Sequence, residues 1–419
     1  MRHRWAAAPM AAMILVTACQ GGGDDGSPAA GDDQSPGAEG GGTAIEEESI
    51  SGEVRLSGGR ASDAEEALLE ETIAAFEEKY PNITVNYEPI PEAYAETMIG
   101  QFSAGEPPDL FYVGATGEAA PWMDDGLLLP LDDYIAGNPE VGVDSFYPGL
   151  LAPFQRDGST HGLPKDASPL ALFVNPDMLA EAGVEVPTNW DELAAAAEAL
   201  TTDDVAGLCM GPEIQRWGAF IYQNGGSLYN EDLTEITLDS PETVEALDYL
   251  LGLHEAGSMQ THSEIGAGWC GEAFGTGQAA MTIEGNWLVP SMENEFPDTP
   301  FEMAELPQGV QPGNLAFTVA YSIGEDSPNK DQAWVLLQYL AGQEGMAQWT
   351  SLGLALPARD DVDPPENREA LVAGLEYATA YGFPSDWIDV QDAFNNKLTE
   401  VLESGGTGQE IVDAAVASQ

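Results

Sequence analysis

Polar and apolar side chains alternate from Glu53 to Ser57, the period of a half-buried strand. Ser62 and Glu65 then form a capping box ahead of Leu69, Ile73, Phe76 and Tyr80, whose spacing of 4, 3 and 4 residues lays one apolar stripe along a helix. Pro81 cannot continue that helix and stops it. Ile83 to Glu88 reads as a second strand, and Pro91 to Phe102 as a helix with Tyr94, Met98 and Phe102 on one face. After Pro107-Pro108, Asp109 to Val113 reads as a third strand. Strands that alternate with helices are joined by crossovers, so this βαβαβ order predicts a parallel sheet. Downstream, the pattern predicts an Ala-rich helix from Trp190 to Leu200 capped by Thr188, and a helix opened by Ser240-Pro241 with Val244, Leu247 and Leu251 inward. A third, opened by Ser327-Pro328, runs through Trp334, Leu337 and Leu340. The class is α/β throughout. A length of 419 residues, 43% of them apolar, predicts more than one core.

The amino terminus departs from this pattern. Arg2 and Arg4 precede an apolar stretch from Trp5 to Val16, too short to span a bilayer, and small residues lead directly into Cys19. Val16-Thr17-Ala18-Cys19 resembles a bacterial lipobox. That resemblance implies a signal peptide over residues 1–18, acylation of Cys19, and a protein anchored to the outer face of the cell membrane. Residues 19–49 are Gly, Asp, Ser, Pro, Ala and Glu with hardly a large apolar group. Such a segment cannot offset its ordering entropy, so a disordered acidic tether is expected there.

Charge then removes whole classes of function. With 72 Asp and Glu against 12 Lys and Arg, the formal net charge is −60. A surface this acidic repels phosphate backbones and anionic headgroups, which argues against nucleic-acid binding and electrostatic membrane docking, and it resembles the surfaces of proteins from salt-loving organisms.

Outside the cell, with Cys19 taken by lipid, the remaining cysteines are Cys209 and Cys270. Two cysteines in an oxidising compartment are expected to form a disulfide; the alternatives are two buried thiols, or a zinc site completed by His262 and Glu264 that lacks the usual paired-cysteine spacing. No other metal or cofactor is expected. The sequence contains no nucleophile elbow, no zinc-protease helix, no phosphate loop and no dinucleotide fingerprint, so the protein is not expected to be an enzyme. Paired carboxylates suited to glycoside hydrolysis are uninformative among so many acids. The conspicuous residues are Trp122, Trp217, Trp269, Trp287, Trp349 and Trp387, several beside Gly, Pro, Asn or Asp. Sugars present apolar C–H faces ringed by hydroxyls, and their sites combine flat aromatic platforms with carboxylates and amides.

Seven segments, in order, resemble family 1 extracellular solute-binding proteins, the sugar-binding lipoproteins of ABC importers related to maltose-binding protein. They are Tyr80-Pro81-Asn82-Ile83-Thr84-Val85, Pro107-Pro108-Asp109-Leu110-Phe111, Gly162-Leu163-Pro164-Lys165-Asp166, Thr188-Asn189-Trp190-Asp191-Glu192-Leu193, Asn224-Gly225-Gly226, the run from Gly277 to Trp287, and the run from Gly353 to Arg359. The resemblance covers residues 50–419. It implies a two-lobe periplasmic-binding-protein fold of type II with a ligand cleft between lobes joined by a hinge that the chain crosses more than once. Crossings are expected near 164–169, 281–284 and 323–328, giving lobe one as 50–165 with 282–324 and lobe two as 166–281 with 325–419. It implies a monomer that binds a mono- to oligosaccharide, an alpha-glucoside among the candidates, and presents it to membrane permease subunits. The nearest alternative is a binding protein for another solute, and a more distant one an extracellular glycosidase. Gly285-Asn286-Trp287 resembles the turn whose Trp stacks on a sugar in the family, and Asp166 the cleft acid that accepts sugar hydroxyls. Trp217, Trp387, Tyr321, Arg60 and Glu284 complete the ligand-binding set that the resemblance implies.

Overall fold

Half of the capping box expected at the first helix forms: the Ser62 side chain accepts a hydrogen bond from the Glu65 N–H, while Glu65 itself lines a cavity, and the helix runs Asp63–Lys79 before Pro81. The structure is a computed structural model that describes residues 42–59, 62–230, 233–382, 384 and 387–418. Strands Gly52–Gly59, Ile83–Ile90 and Leu110–Gly114 pair in parallel, as βαβαβ order demands, with Gly52–Gly59 in the middle. Val319–Ile323 joins antiparallel to Leu110–Gly114, and Leu163–Pro164 completes this five-stranded sheet. The seven-stranded sheet runs Ala378–Ala380, Asn314–Phe317, Ser168–Val174, Ala279–Gly285, Ala206–Cys209 and Met259–Gln260, and Glu302–Ala304 pairs with Ser168–Val174. Helices cover both sheets, which makes two α/β lobes. Val54, Leu56, Phe76 and Trp334 anchor the first core, and Leu172, Leu208, Phe220 and Ile283 the second.

The strands sort differently from the expected lobe boundaries. The chain leaves the first sheet at Pro164 and enters the second at Ser168, but Ala279–Gly285 does not return it, because all seven residues are buried between Ser168–Val174 and Ala206–Cys209. The return lies at Thr318, between Phe317 in the second sheet and Val319 in the first. Residues 325–349 then stay with lobe one instead of lobe two: helices Lys330–Leu340 and Gln343–Trp349 pack on the first sheet and on helix Asp63–Lys79. After residue 349 the chain passes to helices Glu369–Leu375, Trp387–Ser404 and Gly408–Val416, which pack on lobe-two elements. Strand 279–285 is buried along its whole length, and its polar residues Thr282 and Glu284 find partners only in the folded protein, so its residue types do not reveal the crossing.

Other departures are local. Asn189, not Thr188, caps Trp190–Leu200, while Thr188 bonds the Glu192 carboxylate. The helix expected from Ser327 begins at Lys330, because Ser327 and Asn329 bond the buried Asp109 instead. Residues 42–49, expected as tether, lie against lobe one. Asn138 accepts from the Ile45 N–H and donates to the Thr43 carbonyl, Glu47 accepts from the Tyr80 hydroxyl, and Ile45 and Ile50 pack on the core. Two isoleucines and one buried amide are enough to order this short stretch despite its polar composition. Cys19 and the rest of residues 1–41 lie outside the described residues.

Candidate functional site

Parallel sheets expose backbone groups and loops at the carboxyl ends of their strands, which is where ligands gather in open α/β folds. Here Gly59 and Gly114 end two strands of lobe one, and a cavity of about 360 Å³ opens beside them. Tyr87, Tyr94, Tyr112 and Trp349 wall it, and Glu65, Glu66, Glu118 and Lys165 supply its charge. Gly58 makes the Tyr112 wall possible: a Cβ at that position would lie 2.6 Å from the ring. The Tyr94 hydroxyl donates to the Tyr112 carbonyl at 2.8 Å, and the Tyr321 ring packs edge-on to Tyr112 at 5.4 Å.

Lys165 and Asp166 occupy the first crossing. The Lys165 ammonium, almost wholly buried, is ion-paired with Asp166 and sits 4.3 Å from the centre of the Trp349 ring and 5.0 Å from that of Tyr112. Trp349 Nε1 donates to the same carboxylate at 3.3 Å. The Thr318 hydroxyl donates to the Asp166 carbonyl at 2.7 Å, so the outgoing and returning crossings are bonded to each other. Burial pushes the Glu118 carboxyl up to about 7 against the pull of the Glu118 and Gly114 N–H groups, and burial also raises Glu65, an effect that Lys165 opposes.

A second cavity of about 570 Å³ lies between residues of both lobes: Thr116, Gly117 and Pro121 on one side, and Gln215, Trp387, Ile388 and Gln391 on the other. Thr116 lines both cavities, so they meet at this loop. Gln391 accepts from the Tyr381 hydroxyl at 2.6 Å and from the Gln215 amide at 3.2 Å. Next to this cavity, Phe317 packs edge-on to Trp287 at 5.4 Å. Arg216 lies 5.0 Å over the Trp287 ring, and both Arg216 and Trp287 Nε1 donate to Glu284 Oε2, at 2.7 Å and 2.9 Å.

The structure therefore places Asp166 and Tyr321 behind the wall of the lobe-one cavity, Asp166 bonded to Lys165 and Trp349 and Tyr321 as a buried support behind Tyr112. Trp287 and Glu284 stand together on lobe two, and Trp387 lines the second cavity while its ring packs on Tyr229 and Tyr381. Trp217 departs from expectation: it is fully buried and donates Nε1 to the Gly211 carbonyl at 2.9 Å, so it packs the second core. Glu284 is 3% exposed and takes up its partners' donors, which makes it a support for Trp287. Arg60 lies outside the described residues. The ligand-binding set expected from the sequence leaves out Lys165, Tyr94, Tyr112, Glu118 and Arg216, and also Trp349, which stands out there only as one of six conspicuous tryptophans. Lys165 sits inside the segment that yields Asp166, and a lysine in so acidic a chain is a signal in itself; Tyr94 and Tyr112 carry none, since helix and strand periodicity account for both.

Residues 61–347 match the family model of the bacterial extracellular solute-binding proteins. The chain belongs to that family. A Brucella abortus chain named as a binding protein is 27% identical, over 89% of this chain and 94% of its own length. The ABC substrate-binding protein of Listeria monocytogenes solved in complex with cycloalternan is 26% identical, with a TM-score of 0.74 and coverage of 88% and 98%. The sugar-binding protein MalE of Xanthomonas citri shares the fold at 22% identity, with a TM-score of 0.78 over 87% of this chain and 95% of its own. An extracellular solute-binding protein works outside the cytoplasm, where the Cys209 and Cys270 thiols meet oxidising conditions; they are joined here, with Cα atoms 5.5 Å apart, so neither is free to hold zinc.

Proposed function

We propose that this solute-binding protein captures a carbohydrate between its lobes and presents the closed form to the permease of an ABC importer, held at the membrane by lipid on Cys19. The observation that carries this is the lobe-one cavity, in which four aromatic rings stand beside carboxylates at the strand ends and open onto groups of the opposite lobe. That combination suits the two chemistries of a sugar, its C–H faces and its hydroxyls. The cycloalternan complex of the Listeria relative supports the same reading. Closure follows from differential affinity: only the closed state lets one ligand touch both lobes, so the ligand shifts the population towards it.

A thermal-shift screen over mono-, di- and trisaccharides tests the proposal, since a ligand at about 100 times its Kd adds about 2.7 kcal/mol. Absence of stabilisation by every sugar would overturn it. Within the site, Trp349→Ala, Trp287→Ala and Asp166→Ala are each expected to weaken sugar binding by about tenfold or more in calorimetry. Circular dichroism should remain native, and an unchanged Kd in all three would move the site elsewhere. For the anchor, Cys19→Ser is expected to release the protein from the membrane fraction; retention there would refute lipid attachment.

A further inference from the structure

Among the described residues, Lys165 of the lobe-one cavity is already neutralised by Asp166, and Arg216, beside Trp287, by Glu284. Glu65 and Glu118 line the lobe-one cavity and, among the described residues, neither has a cation within ion-pair distance. Glu118 is not one more surface acid. Its carboxylate is turned in against Gly114, where a Cβ would collide with it, and backbone N–H groups hold it. The walls also tolerate positive charge, as the Lys165 ammonium over the Tyr112 ring shows.

A neutral sugar filling this space would strip water from two carboxylates and return only hydroxyl donors. A protonated amine returns a charge-assisted hydrogen bond and offsets the charge that burial makes unfavourable, and the tyrosine faces add a cation–π contribution. We propose that the solute carries a protonated nitrogen, as an amino sugar does, and that this nitrogen sits between Glu65, Glu118 and the tyrosine rings of the lobe-one cavity. The inference rests on the carbohydrate reading of the same cavity and narrows it to a class. Burial that holds Glu118 near the neutral range fits a carboxylate awaiting a cation.

Calorimetry on the mature protein with matched ligands tests it: glucosamine and its β-1,4 dimer and trimer, each against the N-acetylated and the 2-hydroxy counterpart, with maltose and maltotriose alongside. The amine is expected to bind about tenfold tighter than its neutral counterparts. In Glu65→Gln/Glu118→Gln the ratio of amine to neutral affinity should fall towards one, with native circular dichroism; the two single variants, read separately, serve if the double variant does not fold. Neutral sugars that bind as tightly as the amines, or more tightly, would overturn the nitrogen inference and leave the carbohydrate reading standing. Preference for the amine that survives in the variants would overturn the role of these two carboxylates. Failure of every saccharide, charged or neutral, would overturn the carbohydrate reading and this inference with it.

Discussion

Arg216→Met is expected to cost about 3–5 kcal/mol of stability near neutral pH, the range for removing one partner of a buried ion pair. Arg216 reaches Glu284 Oε2 through Nε at 3.2 Å and Nη2 at 2.7 Å, and Glu284 is 3% exposed. The variant keeps an apolar stem over Trp287 but leaves the carboxylate buried with Trp287 Nε1 as its remaining donor. Burial already raises the Glu284 carboxyl above its ordinary value of 4.5, outweighing Arg216, and without the guanidinium it rises further. A carboxyl raised in the folded state favours folding in its protonated form. That contribution is fully present below the unfolded value and is lost as pH rises through the folded one. The deficit of Arg216→Met should therefore be small at about pH 4 and grow towards neutrality, as measured by urea unfolding at both pH values. Arg216→Met/Glu284→Gln should recover most of it, because no charge is then left alone and Gln still accepts from Trp287. An equal deficit at both pH values would mean that Arg216 serves the fold by packing rather than by charge.

Because Trp287 is held on one edge by Glu284 and on one face by Arg216, the same charge pair that stabilises lobe two also fixes the ring that packs on Phe317, a wall of the second cavity. Loss of Arg216 is expected to weaken ligand binding through disorder of Trp287, without direct contact between Arg216 and ligand.

How far such a site can be read in a sequence depends on whether local or distant residues decide each feature. The first parallel strands and helix Asp63–Lys79 are legible because local patterns fix them: alternation, a serine N-cap, a proline stop. The two-lobe fold follows from motif segments, and the segment ending at Asp166 falls at the first crossing between the sheets. The lobe boundaries are not legible, because Ala279–Gly285 is buried on both faces and nothing in it names the neighbour it pairs with. Trp217 and Trp349 show the same limit for single residues. Both are tryptophans in plausible surroundings, yet Ile214–Gln223 turns Trp217 into the second core, whereas Trp349, at the end of Gln343–Trp349, meets Lys165 at the cavity wall. Orientation of a helix around its axis, set by the packing of distant segments, decides which tryptophan becomes a platform. Residues 42–49 mark the opposite error, where composition predicts a tether and a few long-range bonds from Asn138 and Glu47 hold the chain in place.

Removing the disulfide by Cys209→Ala/Cys270→Ala should lower the unfolding free energy by about 4 kcal/mol, the chain-entropy value for a loop of this length. The cysteines are 61 residues apart in sequence, at the end of strand Ala206–Cys209 and the start of helix Cys270–Gly275. They belong to a small core of Ala206, Ala273 and Ala279, side chains that bury little apolar area each, so the cross-link supplies a constraint that packing there does not. Most of the effect acts on the unfolded chain, which without the link becomes more expanded; the urea m value should therefore rise in the variant as the midpoint falls. Neither cysteine lines the cavities at the cleft, so the Kd of any sugar that binds the parent protein should stay unchanged. Unfolding of the parent with and without reductant provides the matching comparison. A drop well under 1 kcal/mol with an unchanged m value would show that lobe two is already held at this point by strand Ala279–Gly285 and the Thr282 bond to the Cys209 carbonyl, and that the bridge adds no constraint the sheet has not imposed.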